Sequence, residues 1–403
     1  MNTKELISAC EKAREEFQAG QYREVISGYR AEISALKNAS KKDEQSAALL
    51  LIYARALLAM EEFEEASELL QKSIDSSANS AEAQFELALL KHKQGELSLR
   101  ELIADLRLRA DSLHHKDNYL YMRVLIALGR ALLAEGSLAM AETNFRQAFS
   151  IADTYYKETA ELACEPLAML ALVYLKQEKH TLAAALARDA VSHVHALDNP
   201  LQVEALLVIA RASEKLGLLT KAVLAAERAY DLALRAFGEE HSLFGQALAT
   251  KATVLRLAGD FEKAQPEARL QLEILEKRHG ADSPELIEPL CDLAHIYSRL
   301  GERTKAEAHF ERALALLAQK AQSKPFDSAD GEDLSTCYKE YSLLEDLSSC
   351  YLWQGKIADC LRLVPSSMRA KYTCQVDSVV SVINSLSKRL KQYIDEQSSS
   401  ESQ

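Results

Sequence analysis

The segment GSLAMAETNFRQA, residues 136–148, contains the pattern that decides the fold. Its turn glycine is followed by large and small apolar residues at the three- and four-residue spacing of one helix face. These residues are Gly136, Leu138, Ala141, Phe145 and Ala148. Clear copies of the pattern begin at Gly217, Gly259 and Gly301, so the chain contains an internal repeat.

The repeat has the length of a pair of helices. When weaker copies are included, the chain has nine turn positions, at residues 20, 61, 95, 136, 178, 217, 259, 301 and 355. Most of them are 39–42 residues apart, which leaves room for two helices and their turns. A second apolar stripe lies upstream of each turn, as at Leu128, Gly129 and Leu132, and supplies the first helix.

The residue types suit closely packed antiparallel helices. Small residues allow the backbones to approach where two helices cross, and a turn glycine accepts the left-handed conformation that ends a helix. Neither helix of a pair can bury its apolar stripe alone, so successive pairs must stack. The sequence therefore predicts an all-α protein, an α-solenoid of about nine antiparallel helix pairs with a concave inner wall. Leu6 to Phe17 and Tyr22 to Leu36 are predicted to form the first pair.

This pattern resembles the tetratricopeptide repeat (TPR), and the longer copies resemble the variant found in kinesin light chains. The light-chain likeness covers residues 237–318 and begins at two short junctions, Phe237-Gly238-Glu239-Glu240-His241-Ser242 and His279-Gly280-Ala281-Asp282-Ser283-Pro284. After the second junction the matching residues are Leu290, Leu293, Ala294, Tyr297, Gly301, Ala306, Phe310, Arg312 and Ala313. The resemblance implies a right-handed superhelix that binds a protein segment and is not an enzyme.

Breaks in the pattern give the expected domain boundaries. We expect TPR-like repeats over residues 1–318, a polar acidic insertion loop over 319–335 and a degenerate terminal repeat over 336–372. Residues 373–396 are predicted to form an amphipathic capping helix, and 397–403 a disordered tail. The loop is either a tolerated insertion or a docking segment. The basic residues of the last helix leave a partner or membrane contact as the alternative to capping.

Composition narrows the classes of partner. The chain has 60 acidic and 48 basic side chains and a formal charge of −12, which disfavours nucleic acid and anionic membranes. No stretch approaches the ~20 apolar residues of a membrane span. The seven cysteines are scattered and contain no Cys-x-x-Cys pair, which favours a reducing, cytoplasmic location. We therefore expect a protein or peptide partner, no nucleic acid and no membrane, with the oligomeric state left open.

The candidate binding residues lie on the first helix of each pair, which lines the groove if the resemblance holds. They are Arg123, Ala127, Arg130, Glu165, Met169, Glu204, Arg211, Glu214, Gln246, Thr250, Thr253, Arg256, Glu288, Asp292, His295 and Ser298. This wall is expected to be basic near Arg123 and Arg130 and mixed or acidic toward Glu288 and Asp292. The alternative is that these residues only form a solvated helix face. The asparagines with which light chains hold an extended ligand are replaced here, for example by Cys291 and Asp292.

Three functions are weighed against each other. The sequence contains no phosphate-binding glycine loop, nucleophile elbow or zinc-protease helix pair, so we predict no enzyme activity, no cofactor and no metal. Cys291 and His295, with Asp292 adjacent, supply too few ligands for a zinc site. The favoured function is a scaffold or adaptor that holds a protein segment in its groove. The alternatives are a regulatory protein that closes on a short signalling peptide, and an enzyme with an unrecognised site.

Overall fold

The structure is a computed structural model that describes residues 3–38, 44–77, 80–114, 116–194 and 200–323. These residues form seventeen α-helices: α1 (Thr3–Gln18), α2 (Tyr22–Gly28), α3 (Arg30–Asn38), α4 (Glu44–Ala59), α5 (Phe63–Ser76), α6 (Ala81–Lys93), α7 (Leu99–Leu113), α8 (Asn118–Glu135), α9 (Leu138–Tyr155), α10 (Cys164–Lys176), α11 (His180–Ser192), α12 (Gln202–Lys215), α13 (Leu219–Phe237), α14 (Ser242–Ala258), α15 (Phe261–His279), α16 (Ile287–Arg299) and α17 (Arg303–Ser323). Short 3₁₀ turns precede α10 and α16. No β-strand occurs among the described residues. The described residues fall into two compact units, one within residues 1–254 (unit 1) and one that begins at residue 255 (unit 2).

Consecutive helices pack in pairs that follow the predicted repeat. In unit 1, α4 packs on α5, α6 on α7, α8 on α9, α10 on α11 and α12 on α13, and in unit 2 α16 packs on α17. The first helices of neighbouring pairs are also in contact. Helix α1 packs against α4, and α10 packs against α12. The predicted all-α solenoid of stacked helix pairs is confirmed.

The predicted turn positions adopt the left-handed conformation. Six of them are glycines with φ between 72° and 91°: Gly20, Gly95, Gly136, Gly217, Gly259 and Gly301. Glu61 and Glu178 also have positive φ, 62° in both cases, although a side chain disfavours this conformation. The packing of the repeat therefore dictates the turn even where glycine is absent. The ninth position, Gly355, lies outside the described residues.

The residues of the repeat pattern form the core. Ala141, Phe145 and Ala148 are fully buried. Gly129 of α8 faces the ring of Phe145 on α9, and a Cβ atom at Gly129 would lie 2.6 Å from a ring carbon. A continuous cluster of buried apolar side chains extends from Phe85 to Ala212, so the stacked pairs share one core.

Local details differ from the sequence predictions at two places. The second helix of the first pair is interrupted at Tyr29, after Gly28, because glycine is a poor helix former. Helix α17 continues to Ser323, into the start of the predicted 319–335 loop. Residues 303–323 contain no glycine or proline, and the first helix-breaking residue is Pro325.

A capping serine followed by a proline begins the last described repeat. The Ser283 hydroxyl accepts a hydrogen bond from the Glu285 N–H at 3.3 Å, and Pro284 is the first residue of the helical turn. The predictions for the rest of the loop, the terminal repeat (336–372), the capping helix (373–396) and the tail (397–403) lie outside the described residues.

Candidate functional site

A cavity of about 350 Å³ lies inside unit 1, and we call it the lumen. Its walls come mainly from the first helices of successive pairs. The lining residues are Phe17, Tyr22, Arg55, Leu58, Ala59, Glu86, Lys93, Arg123, Arg130, Glu165, Pro200, Leu201, Glu204, Phe237 and Leu243. Helices α1, α4, α6, α8, α10, α12 and α14 all contribute a side chain, whereas the second helices α2 and α13 contribute only their ends. The inner surface of unit 1 is thus made by the first helices.

Four charged residues form an ion-pair network on one wall of the lumen. Arg123 of α8 lies 2.6 Å from Glu86 and 3.0 Å from Glu82, both on α6. Arg55 of α4 lies 2.9 Å from Glu82 and 3.3 Å from Glu86. Burial alone would lower the pKa of Arg123, but the acidic groups around it, Glu86 first, raise the pKa instead. Arg123 therefore stays charged, and the network links three successive first helices.

A second, more open group surrounds Arg130. Its guanidinium lies 2.7 Å from Glu204 of α12 and 3.0 Å from Glu165 of α10. The side chains of Arg130 and Glu165 remain 41% and 43% exposed, so they present polar surface to the lumen. Burial, with the carboxylates of Glu165 and Glu204 opposed by Arg55, raises the pKa of Tyr22 to about 12. Two carboxylates face one arginine here, so this part of the wall is not the basic surface that the sequence predicted.

Contacts between residues about 200 positions apart hold the two sides of the lumen together. The Arg23 guanidinium donates to the Phe237 carbonyl oxygen at 2.9 Å. The Ser242 N–H donates to the Glu61 carboxylate at 3.0 Å. His241 Nε2 lies 2.9 Å from the Ala59 carbonyl oxygen. We call these three hydrogen bonds the clasp.

Aromatic rings line the clasp on its inner side. The ring centroids of Tyr22 and Phe237 are 6.1 Å apart, and those of Phe237 and His241 are 4.3 Å apart, stacked in both cases. Phe17 lies 5.3 Å from Tyr22. Since His241 Nδ1 accepts the Leu243 N–H at 3.1 Å, Nε2 carries the proton that is donated to Ala59.

Sequence models of the tetratricopeptide repeat match three parts of the chain, residues 16–97, 168–241 and 243–319. Together these matches cover more than half of the 403 residues. The chain belongs to the tetratricopeptide repeat family. No curated protein is similar enough in sequence to count as a relative.

Solved structures of TPR proteins share the fold at low sequence identity. A Rap protein complexed with Competence and Sporulation Factor is 12% identical in sequence to this chain. The alignment covers 87% of this chain and 100% of the Rap chain, with a TM-score of 0.55. The Rap conjugation gene regulator of plasmid pLS20 in complex with the Phr* peptide is 17% identical, with coverage of 71% and 78% and a TM-score of 0.50. The TPR-like repeats of a proposed kinesin light chain from Podosopora anserina are 19% identical, with coverage of 52% and 100% and a TM-score of 0.44.

The TPR fold places the candidate residues of unit 1 in different surroundings. Arg123, Arg130, Glu165 and Glu204 line the lumen. Ala127 and Met169 are buried, at 9% and 2% exposure, and offer little surface to a ligand. The remaining candidates of this unit lie elsewhere along the first helices. Arg211 contacts Thr250 at 3.5 Å, Glu214 pairs with Lys215 at 3.1 Å, Gln246 is exposed, and Thr253 is half-buried.

The candidate residues of unit 2 form a separate group. Arg256 pairs with Asp292 at 3.1 Å. The ring of His295 packs edge-on against Phe310, with centroids 5.2 Å apart. Glu288 and Ser298 are exposed. Within the described part of the chain, no three His, Cys, Asp or Glu side chains converge as metal ligands, and no helix has the length and apolar character needed to cross a membrane.

Several residues of the lumen and of the ion-pair network were missed by the sequence analysis, although the repeat carried a signal for two of them. Arg55 precedes its turn by six residues, as Arg130 and Arg211 do. Glu82 precedes its turn by thirteen residues, as Glu204 does. Extending the same register to the earlier repeats would have found both. Tyr22, Lys93 and Phe237 carried no comparable signal, because they reach the lumen from helix ends.

Proposed function

We propose that this TPR protein is a non-catalytic scaffold or adaptor that binds a protein segment or peptide on the inner wall of unit 1. The observation that carries the proposal is the convergence of Arg130, Glu165 and Glu204 on one lumen from three successive repeats. These side chains keep part of their polar surface free, which suits them to exchange ion pairs with a ligand. The acidic net charge favours a protein partner over nucleic acid or an anionic membrane.

The part of the lumen around Arg130 favours a ligand with a basic group. A ligand ammonium or guanidinium fits beside Glu165 and Glu204, where two carboxylates face one arginine.

A binding role also agrees with the state of the nucleophiles near the lumen. Burial, helped by Glu165 and Glu204, raises the pKa of the Cys164 thiol to about 12, and Tyr22 has a similarly raised pKa. Neither group is therefore ionised at neutral pH. The proposal includes a reducing, cytoplasmic location, because the seven cysteines of the sequence are scattered and contain no Cys-x-x-Cys pair.

Affinity capture with matched variants tests the proposal. The full chain serves as bait in native lysate, and the captured proteins are quantified by mass spectrometry for Arg130→Gln and Glu204→Gln. The controls are Arg107→Gln on α7 and Glu64→Gln on α5, which make the same charge changes at exposed positions of second helices. A partner of the lumen is lost with both lumen variants and retained with both controls. Equal capture by all four variants would overturn the proposal.

The second candidate function is a regulatory protein whose solenoid closes on a short signalling peptide. Its support is the lumen, whose volume of about 350 Å³ falls in the range of small-ligand sites. The fold is also shared with Rap proteins solved in complex with Competence and Sporulation Factor and with the Phr* peptide. Protein purified from native cells is denatured, and released peptides are identified by mass spectrometry. A short peptide that is present in the parent and absent from Glu204→Gln favours this candidate, whereas capture of intact proteins alone favours the adaptor.

A further inference from the structure

We propose that the clasp is a gate: while its hydrogen bonds are formed the lumen is too narrow for a protein segment, and binding of such a segment requires the clasp to open. The proposal rests on the proposed function in one respect, namely that the lumen is the binding site. The existence of the clasp does not depend on that function, because its three hydrogen bonds lie within this chain. It joins the turn residues of the first two repeats to the junction between α13 and α14.

The clasp uses residues that the next junction lacks. The junction at 237–242 and the junction at 279–284 occupy equivalent places in successive repeats. At the second junction Ser283 replaces His241, and Pro284 replaces Ser242. Proline has no N–H to donate, so the bond that Ser242 makes to Glu61 has no counterpart there. The clasp is therefore a specific feature of the first junction and not a general property of the repeat.

Glycine at 238 allows the clasp to close. Its φ is 87° and its ψ 177°, a conformation that is essentially restricted to glycine. A Cβ atom there would lie 2.8 Å from the Arg23 guanidinium, which bonds the Phe237 carbonyl oxygen. Gly280 has a similar conformation, φ 85° and ψ 161°, but a Cβ atom there would meet nothing within 4 Å. The two glycines differ in the contact to Arg23 and match in backbone geometry.

The clasp is also small enough to open. It consists of three hydrogen bonds at the ends of helices, with the stacked rings beside them. Opening the clasp therefore need not disturb the core shared by the repeats. The volume of the lumen, about 350 Å³, is that of a small-ligand site, whereas a protein segment that runs along several repeats needs a wider groove. The apparent affinity for such a segment is then proportional to the fraction of molecules in which the clasp is open.

Two matched pairs of variants test the gate. Gly238→Ala displaces Arg23 and is compared with Gly280→Ala, which has similar backbone strain and no clash. Glu61→Ala removes the acceptor of the Ser242 N–H and is compared with Glu178→Ala, an exposed turn residue with the same φ of 62°. Each member of a pair carries the same local cost, so a difference within a pair reports on the clasp.

The readout requires no identified partner. Leu58 lines the lumen, and the thiol introduced by Leu58→Cys is labelled in the full chain with a maleimide attached to a flexible glycine–serine peptide. Mass spectrometry follows the labelled site separately from the native cysteines. We expect labelling to be about tenfold faster with Gly238→Ala and Glu61→Ala than with their controls, the factor that follows from losing one hydrogen bond to a charged group, about 1.4 kcal/mol.

The outcomes separate the gate from the proposed function. Equal labelling rates within both pairs would overturn the gate, even if a partner is captured. Faster labelling in the clasp variants, with no partner lost from the lumen variants Arg130→Gln and Glu204→Gln, supports the gate and rejects the lumen as the binding site.

Discussion

Gly129 is the position where a single methyl group should test the packing of the solenoid. In the other described repeats the residue seven positions before the turn is alanine: Ala13, Ala54, Ala88, Ala171, Ala210, Ala252 and Ala294. At Gly129 a Cβ atom would lie 2.6–3.0 Å from three carbons of the Phe145 ring, which is fully buried and cannot swing aside. Gly129→Ala is therefore a substitution toward the repeat consensus that should nevertheless destabilise this protein.

The expected size follows from two opposing effects. Forcing extra atoms into a packed core costs about 1–3 kcal/mol. Replacing glycine by alanine inside a helix contributes about 1 kcal/mol in the other direction. We expect Gly129→Ala to lose about 1 kcal/mol of unfolding free energy, measured as a lower urea midpoint by far-ultraviolet circular dichroism.

A second substitution identifies the cause. In a Phe145→Leu background the ring is gone, so the same Gly129→Ala change should be neutral or stabilising. The control Ala294→Gly should lose about 1 kcal/mol from helix propensity, plus a further loss from removing a buried methyl group. If Gly129→Ala is at least as stable as the parent, or if Phe145→Leu leaves its effect unchanged, the close approach of α8 and α9 is refuted.

Three further predictions concern the lumen and the clasp. Glu86→Gln removes the buried carboxylate shared by Arg55 and Arg123, and it should lower the unfolding free energy by about 3 kcal/mol. The control Glu64→Gln should leave the unfolding free energy unchanged. Equal urea midpoints for the two variants would contradict this prediction. Burial would raise the pKa of Glu61, but the Ser242 hydrogen bonds, His241 and Lys93 lower it. The stabilising contribution of Glu61 is therefore present above the pKa of the unfolded chain and is lost as pH falls through the lower folded value. Amide exchange at Ser242 should accelerate on acidification through that range more than in Glu61→Gln, and identical pH profiles would count against it. The Cys164 thiol, whose pKa burial raises to about 12, should react with iodoacetamide in urea and resist it in the folded state, as followed by mass spectrometry at that site.

The repeat itself could be predicted because its signals are local. The spacing of Ala141, Phe145 and Ala148 fixes one helix face, and a turn glycine fixes where a helix ends. Even Glu61 and Glu178 were placed at turns by their distance from neighbouring copies, and both adopt positive φ. The likeness to the tetratricopeptide repeat followed from the same residues and is confirmed by the family matches.

The inner wall was only partly predictable because its charges interact between repeats. The sequence placed Arg123 and Arg130 on the inner face and predicted a basic surface there. The structure pairs each of them with carboxylates from neighbouring first helices, which offsets the charge. The clasp was not predicted at all, since Arg23 and Phe237 meet only after five further helix pairs have set the curvature of unit 1.

Site-specific photo-crosslinking tests most directly whether the lumen holds the partner. A photoreactive amino acid replaces Leu201, which lines the lumen, or Leu224, which is 62% exposed on the second helix α13. Crosslinked species from native lysate are then mapped by mass spectrometry. The lumen site should crosslink one partner segment that Arg130→Gln abolishes, while the Leu224 site should yield none of it. Crosslinking of the same segment at Leu224 and not at Leu201 would contradict the account.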